Sequence, residues 1–222
     1  MTEVNSKQVF SLDETQMEAV NACVNQTRRI VAITGEAGTG KTTILKRVFN
    51  KLTDLGLNVV LCAPTGKAAK RIHEATGIKA RTIHRLLEYP HPGELNPKTG
   101  TAYRTTDPKR DKRNPLEFGV VLADEYIMVN NEVHRNLLDA LPRGGLLRVF
   151  GDANQLQPIE SNKRLAKLAP QFVQLLNKFD GIRLQTIHRQ DEDSSIVSNG
   201  HRIINGVMPK QTDDFKLVFT NT

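Results

Sequence analysis

The residues whose types and spacing could perform chemistry begin with one glycine-rich run. The run consists of Gly35, Glu36, Ala37, Gly38, Thr39, Gly40, Lys41 and Thr42, followed by Thr43. It fits the Walker A pattern G-x-x-x-x-G-K-T at every fixed position, after a β-branched stretch and before an amphipathic one. Glycines let backbone N–H groups close around phosphates, and a helix N-terminus adds its dipole. The run therefore predicts an ATP-binding loop in which Lys41 reaches the β- and γ-phosphates and Thr42 binds Mg²⁺.

A pair of adjacent carboxylates, Asp124 and Glu125, follows the apolar run 120–123. After a buried strand, such a pair can supply what a phosphate-binding loop still lacks. Asp124 is expected to hold the metal with its water shell, and Glu125 to orient the attacking water as a base. Acidic pairs after apolar runs are common, so this prediction depends on the glycine-rich loop in the same chain.

A parallel sheet with crossover helices is the scaffold that these residues need. Short β-branched runs alternate with helical periodicity along the chain, which is typical of that scaffold. The expected strands are 30–34, 58–63, 118–123, 146–150 and 182–185. Ser11 and Glu14 have capping-box spacing at the start of a first helix. The second helix is expected to end at Gly56 and to bury the stripe Ile44, Leu45, Val48, Leu52 and Leu55.

The segment 89–115 interrupts this alternation. It is rich in proline and carries a basic cluster at 109–113. So long a connection without regular structure is uncommon inside a compact domain. Two interpretations stay open at this point: a solvated loop, or a small inserted subdomain with a β-hairpin turning at 97–100.

Composition narrows the classes of protein to which the chain can belong. Its 222 residues are 38% hydrophobic and 25% charged, which suits one large α/β domain with an appendage or two small domains. The net charge of +7 favours a polyanionic partner such as nucleic acid. Without a long apolar run or a signal-like start, we expect a bacterial or viral-host cytoplasmic protein with no membrane partner. Cys23 and Cys62 are expected to be buried, reduced thiols.

Four further segments resemble motifs of the RecD-like helicases of superfamily 1, in the same order and over nearly the whole chain. They are 61–71 (motif Ia), 82–87 (the motif after it), 151–159 (motif III) and 184–190 (motif IV). The resemblance implies an α/β RecA-like P-loop domain, with a parallel sheet, helices on both faces and a small hairpin-like insertion. It also implies ATP hydrolysis coupled to translocation on single-stranded DNA, 5′ to 3′.

The resemblance assigns roles to single residues that match the family's motifs. Gln16 resembles the glutamine that reads adenine, and Gln155 the γ-phosphate sensor that links hydrolysis to DNA. Arg189 resembles an arginine finger that enters from a second RecA-like domain. An ordinary exposed helix position remains the alternative for Gln16.

Contacts with the DNA backbone are implied for Pro64, Thr65, Lys67, Thr82 and His84. Hydroxyls, backbone amides and lysines are suitable partners for phosphates. Three structural alternatives stay open: Pro64 ends a strand, Thr65 caps a helix, and His84 is a core histidine.

The resemblance also implies a division of the chain. Residues 1–88 and 116–185 would form the RecA-like domain, and 89–115 a pin that splits the duplex at a fork. Residues 186–222 would begin a second RecA-like domain or form a C-terminal tail. Because the family's later motifs have no counterpart, we expect a piece of a longer protein or a half-motor. Its partners would be the C-terminal motor domain or other replication and recombination proteins.

The chain also departs from the family in ways that leave other functions open. Tyr126 follows the acidic pair where the family often has serine, and Gln157 stands where it tends to have proline. Two other classes of function remain: a different P-loop enzyme, such as a small-molecule kinase, and a DNA-binding or regulatory module that does not hydrolyse ATP.

Overall fold

The computed structural model describes residues 11–97, 99–155, 157–158, 164, 169–186, 195–204, 206–213, 216 and 218. Its strands are β1 (Ile30–Thr34), β2 (Val59–Ala63), β3 (Ala80–Thr82), β4 (Val120–Ala123), β5 (Leu146–Gly151) and β6 (Ile182–Arg183). Its α-helices are α1 (Glu14–Val24), α2 (Lys41–Asp54), α3 (Gly66–Thr76), α4 (Ile83–Leu86), α5 (Asn131–Ala140), α6 (Gln171–Lys178) and α7 (Ser195–Ile204). A short 3-10 helix covers Tyr126–Met128.

The strands form one sheet in the order β3-β2-β4-β5-β1-β6, and every neighbouring pair is parallel. The carboxyl ends of all these strands therefore lie along one edge of the sheet. Open α/β sheets bind ligands at this edge. The loops after β2, β4, β5 and β1 are consecutive there, so the topology alone brings the glycine-rich loop beside the acidic pair.

Helices cover both faces of the sheet. On one face α1, α2 and α3 enclose a cluster that includes Val20, Leu45 and Ile72. On the other face α4, α5 and α6 enclose a cluster that includes Leu137 and Phe172. The expected three-layer α/β architecture is confirmed.

The ends of the elements differ from the sequence prediction in detail. All five expected strands are present, with ends that move by at most two residues, but β3 was not predicted. Three residues are too few to show the alternation that marks a strand. Leu55, expected in the buried stripe of α2, is its C-cap and is 56% exposed.

The predicted capping box at the start of α1 is wrong by two residues. Asp13, not Ser11, is the N-cap, and its Oδ1 accepts the backbone N–H of Gln16 at 2.7 Å. The Gln16 Oε1 in turn accepts the Asp13 N–H at 3.2 Å. The predicted pair, Ser11 and Glu14, and the observed pair, Asp13 and Gln16, both fit the capping-box pattern. Aspartate is as good an N-cap as serine, and glutamine can take the place of glutamate.

The segment 89–115 contains an antiparallel pairing. Leu95 and Ala102 form a β-bridge, and the Tyr103 N–H donates to the Glu94 carbonyl at 2.9 Å. Residue 98, in the expected turn, lies outside the described residues.

Ion pairs connect this segment to the residues on either side of it. The Arg110 guanidinium donates to Glu88 Oε1 at 2.7 Å and lies 3.5 Å from Glu117 Oε1. A backbone hydrogen bond strengthens this connection, since the Arg110 N–H donates to the Leu87 carbonyl at 3.2 Å. The base of the segment is therefore anchored to the sheet domain.

A fully buried arginine lies in the middle of the sheet. Arg148, on β5, is 0% exposed, and burial lowers the pKa of its guanidinium. It donates at 2.6–3.3 Å to the carbonyl oxygens of Cys23, Asn25, Arg28, Arg29 and Leu147. Because Cys23 and Asn25 end α1, the guanidinium stabilises the negative end of that helix and ties it to the sheet.

We expect Arg148→Met to lower the free energy of unfolding by about 3 kcal/mol, because it leaves several buried carbonyls without a donor. Chemical denaturation followed by circular dichroism measures the change. Arg143→Met, the same substitution at an exposed position, should change it by less than about 0.5 kcal/mol. Equal stability of the two variants would contradict a structural role for Arg148.

Candidate nucleotide-binding site and nucleic-acid interface

The glycine-rich loop connects β1 to α2. Gly38 has φ 90° and Gly40, the N-cap of α2, has φ 81°, conformations that favour glycine. Gly35 lets the Thr39 side chain pack closely against the backbone, since a Cβ at this position would lie 2.5 Å from the Thr39 Oγ1. Thr39 is buried and closes the loop by donating its hydroxyl to the Glu36 carbonyl at 2.9 Å.

Lys41 lies in the first turn of α2, with its ammonium folded back over the loop. Its Nζ donates to the carbonyl oxygens of Gly35 at 2.5 Å and Glu36 at 2.8 Å. Burial lowers the pKa of the ammonium, and the carboxylates of Asp152, Asp124 and Glu125 oppose that shift in this order. The lysine is thus the cation at the centre of an acidic pocket.

The acidic pair lies where β4 ends. Asp124 is 8% exposed, and burial raises the pKa of its carboxyl to about 6. The Glu125 N–H donates to Asp124 Oδ1 at 2.8 Å, which together with the nearby Lys41 favours the charged form. Glu125 has φ 52°, and its buried Oε2 has no hydrogen-bond partner among the described residues.

A cavity of about 550 Å³ opens between the glycine-rich loop, the end of β4 and α3. It collects many of the residues predicted for nucleotide binding, catalysis and metal binding, namely Ala37, Gly38, Lys41, Thr42, Asp124, Glu125 and Gln155. Thr43 follows in the same turn of α2 but is exposed outside the cavity lining. Arg189 lies outside the described residues.

The oxygen atoms around this cavity fit a magnesium ion. The Thr42 hydroxyl and the Asp124 carboxylate are hard oxygen donors, and the unpartnered Glu125 Oε2 lies beside them. The described residues contain no cluster of three His, Cys, Asp or Glu side chains that could hold a metal. Mg²⁺ is usually bound by one or two protein groups plus waters and substrate phosphates, so this sparse set is suitable.

Gln16 lies against the glycine-rich loop. It is 4% exposed, so the alternative of an ordinary exposed helix residue is wrong. Its Nε2 donates to the Thr39 carbonyl at 3.1 Å, while its Oε1 belongs to the capping box with Asp13. The side chain therefore fixes the start of α1 to the loop, and its contact with adenine stays a prediction.

Two residues of this site were missed by sequence reasoning. Asp152, after β5, is 7% exposed, and its Oδ2 accepts the Gln155 side-chain amide at 3.4 Å. Arg71 lines the cavity from α3, and none of the hydrogen bonds or ion pairs among the described residues involves its guanidinium. The signal for Arg71 was the helical spacing of Ala68, Arg71, Ile72 and Ala75, which share the face of α3 toward the cavity.

The residues expected to contact DNA lie after two neighbouring strands. Ala63 of β2 is the register partner of Thr82 of β3, so Pro64 and Thr82 are at nearly the same level of the sheet edge. Thr65 caps α3 by accepting the Ala68 N–H at 3.2 Å, which confirms the capping alternative for this residue. As an acceptor in that bond, the hydroxyl keeps its proton as a donor.

Thr82 also caps a helix, since it accepts the Arg85 N–H at 3.2 Å. His84 is exposed, and its ring centroid lies 4.8 Å from that of Tyr89, so the core-histidine alternative is wrong. Lys67 is exposed in the first turn of α3. The expected contacts are thus presented together at the carboxyl edge of β2 and β3.

Comparison with known proteins decides the family. Residues 11–216 match the family described as the AAA domain. The chain belongs to this AAA-domain family. In the part of the chain that the structure describes, no helix is both long enough and apolar enough to cross a bilayer.

Relatives of this AAA domain include proteins described as DNA helicases. The ATP-dependent RecD2 DNA helicase of Deinococcus radiodurans is 34% identical over 83% of this chain and 23% of its own length. The helicase dda of Enterobacteria phage T4 is 30% identical over 72% of this chain and 36% of its own length. The RecBCD enzyme subunit RecD of Mycolicibacterium smegmatis is 30% identical over 85% of this chain and 35% of its own length. The resemblance to RecD-like helicases is confirmed, and the chain spans about a quarter to a third of these relatives.

Solved structures confirm the fold of the AAA domain. A structure of two coordinating Pif1 helicases at forked double-stranded DNA aligns with a TM-score of 0.57 and 24% identity, over 92% of this chain and 50% of that chain. Bacteroides Pif1 bound to single-stranded DNA aligns with a TM-score of 0.55 and 24% identity, over 89% of this chain and 47% of that chain. The expected RecA-like P-loop fold is thus confirmed.

Tyr126, the departure from the family after the acidic pair, is a core residue in this AAA domain. It is 0% exposed, and its hydroxyl lies 2.8 Å from the His134 Nδ1 on α5. Burial lowers the pKa of His134 to about 4, so the imidazole is neutral at neutral pH. This pair anchors the 3-10 helix that directly follows Glu125, and a tyrosine there packs behind the cavity instead of lining it.

Proposed function

We propose that this chain is the N-terminal motor half of an ATP-dependent DNA helicase that translocates 5′ to 3′ on single-stranded DNA. The observation that carries the proposal is the convergence of Lys41, Thr42, Asp124, Glu125 and Gln155 on one cavity at the carboxyl edge of the sheet. Relatives described as ATP-dependent DNA helicases, and neighbours on single-stranded and forked DNA, support it.

Each side chain of the cavity has a step that it can perform on ATP. Gly35–Thr43 and Gln16 bind the nucleotide, and Lys41 holds its terminal phosphates. Thr42 and Asp124 hold Mg²⁺, which supplies charge neutralisation on the phosphate oxygens. Gln155 senses the γ-phosphate, and Arg189 donates to the developing phosphoryl charge.

Glu125 is the residue best placed to activate water. Its Oε2 is withdrawn from solvent and has no hydrogen-bond partner in the described part of the chain. A water bound there can lose a proton to this oxygen as it attacks the γ-phosphate. Asp124 is instead nearly fully buried and accepts the Glu125 backbone N–H, so the two carboxyls have different surroundings and separate roles.

DNA and ATP would be linked through α3. Its N-cap, Thr65, belongs to the proposed DNA contacts with Pro64, Lys67, Thr82 and His84. The face of α3 that carries Arg71 lines the ATP cavity. A shift of α3 when DNA binds would therefore move side chains at the γ-phosphate, which gives the coupling a physical route.

The remaining assignments complete the motor. Residues 1–88 and 116–185 form the RecA-like domain, and 89–115 form the pin at a duplex fork. The segment 186–222 begins the second RecA-like domain or a C-terminal tail, in a cytoplasmic protein. Partners are single-stranded DNA, a forked duplex, and the C-terminal motor domain or other replication and recombination proteins.

ATP turnover with and without single-stranded DNA tests the proposal. We expect Mg²⁺-dependent ATP binding and a slow turnover that rises when oligo-dT is added. Phosphate transfer to a small acceptor, with no response to DNA, would favour the kinase alternative. ATP and DNA binding without turnover under either condition would favour a regulatory module.

Thr65→Ala combined with Lys67→Ala should weaken single-stranded DNA binding about equally for all base sequences, because both residues contact phosphates. The salt dependence should fall by about 0.7 in log–log slope for each lost charge contact. Fluorescence anisotropy with oligonucleotides of different sequence measures both. ATP affinity, measured in parallel, should stay nearly unchanged. A loss confined to one base sequence would contradict backbone contacts.

A further inference from the structure

A second groove lies on the opposite side of α3 from the ATP cavity. It has a volume of about 510 Å³, and its walls are α3 and the edge strand β3. Four cations line it, Lys70, Lys79, Arg81 and Arg85, together with His73. The described lining contains no acidic side chain, so the groove concentrates positive charge well beyond the chain's average.

The cations are available to a ligand. Lys79, Arg81 and Arg85 are exposed. Lys70 has one partner, Glu74 at 3.5 Å, and that surface pair is too exposed to contribute much. The Arg81 guanidinium rests 5.3 Å from the centre of the Phe118 ring, which orients it without neutralising it.

The groove is continuous with the DNA contacts proposed above. Gly66, between Thr65 and Lys67, lines it at the carboxyl edge of the sheet, and so does Thr82. From there it follows β3 back to Lys79 and α3 down to His73. Three residues of strand and seven of helix each measure about 10 Å. That length has room for about three phosphates at the ~3.4 Å spacing of a stacked strand.

We infer that this groove binds the phosphodiester backbone of single-stranded DNA and extends the track that begins at Thr65 and Thr82. The inference rests on the proposed function and adds a site beyond its contacts. The cations hold the phosphates, and the floor, formed by Ala69 and Ala80, accepts the sugars. The groove continues from the proposed single-strand contacts at Thr65 and Thr82, so one strand is the proposed occupant.

Lys79→Gln combined with Arg85→Gln tests the inference in the full chain. Both side chains are exposed, and the Arg81–Phe118 contact stays intact. With oligo-dT of about sixteen nucleotides we expect at least about tenfold weaker binding at low salt, and a log–log salt slope smaller by about 1.4. With about three nucleotides, which the Thr65 and Thr82 contacts can hold without reaching Lys79, affinity should change by less than about threefold.

Lys46→Gln combined with Arg47→Gln is the matched control, because it removes the same two charges from exposed positions of α2. It should leave both oligonucleotides bound as tightly as the wild type. Wild-type binding by the Lys79 and Arg85 variant would overturn the inference, and so would an equal loss on both lengths or a loss seen only with duplex DNA. If the Lys79 and Arg85 variant binds normally but the Thr65 and Lys67 variant loses affinity, the groove is excluded as a DNA site while the proposed function stands. A wild-type chain that binds no DNA overturns both.

Discussion

Glu125→Gln is expected to bind ATP·Mg²⁺ as the wild type does and to hydrolyse it about 10²–10⁴ times more slowly. Glutamine has nearly the same shape as glutamate, so the turn after β4 can keep its backbone conformation. The amide cannot accept the proton of the attacking water. The Glu125 Oε2 is buried and has no hydrogen-bond partner among the described residues, so in the wild type it is free to accept that proton.

Phosphate release in single-turnover experiments separates this chemical step from binding, which a fluorescent nucleotide analogue measures. Glu132→Gln is the matched control, since Glu132 is an exposed glutamate in the first turn of α5. It should hydrolyse ATP at the wild-type rate. If Glu125→Gln also turned over normally, Glu125 could not be the base.

Local sequence predicted the elements of the sheet because its strands are buried on both faces. The apolar runs at β1, β2 and β4 are continuous, Arg148 alone interrupts the run at β5, and each run is bounded by turn residues. β3 was not predicted because its sequence, Ala80-Arg81-Thr82, shows no apolar alternation. It pairs only because α3 returns the chain to the edge of β2.

The phosphate-binding half of the site could be predicted because its chemistry is encoded in consecutive residues. Lys41 and the glycines before it are recognisable without a fold. Arg71 lines the cavity from α3, and Asp152, after β5, reaches the site through its hydrogen bond with Gln155. Only the strand order brings those elements together. Arg148 illustrates the same limit, because all of its carbonyl partners except Leu147 lie more than 100 residues away along the chain.

Lys41→Ala should have the most general effect on this site, weakening binding of both ATP and ADP and lowering turnover by about two to three powers of ten. The Lys41 ammonium is the cation that faces the carboxylates of Asp152, Asp124 and Glu125. Without it, a nucleotide bringing several negative charges meets an acidic pocket in which Arg71 is the remaining cation among the lining residues. The loss should be larger for ATP than for ADP, since the lysine is expected to reach the γ-phosphate as well as the β-phosphate.

Titration with fluorescent ATP and ADP analogues measures the two affinities, and thermal unfolding shows whether the variant keeps its fold. That check is needed because the Lys41 Nζ also donates to the carbonyls of Gly35 and Glu36 in the loop itself. Lys46→Ala, on the exposed side of the same helix, removes an equal charge and should change neither affinity. A folded Lys41→Ala chain that binds ATP and turns it over like the wild type would show that this loop does not hold the phosphates.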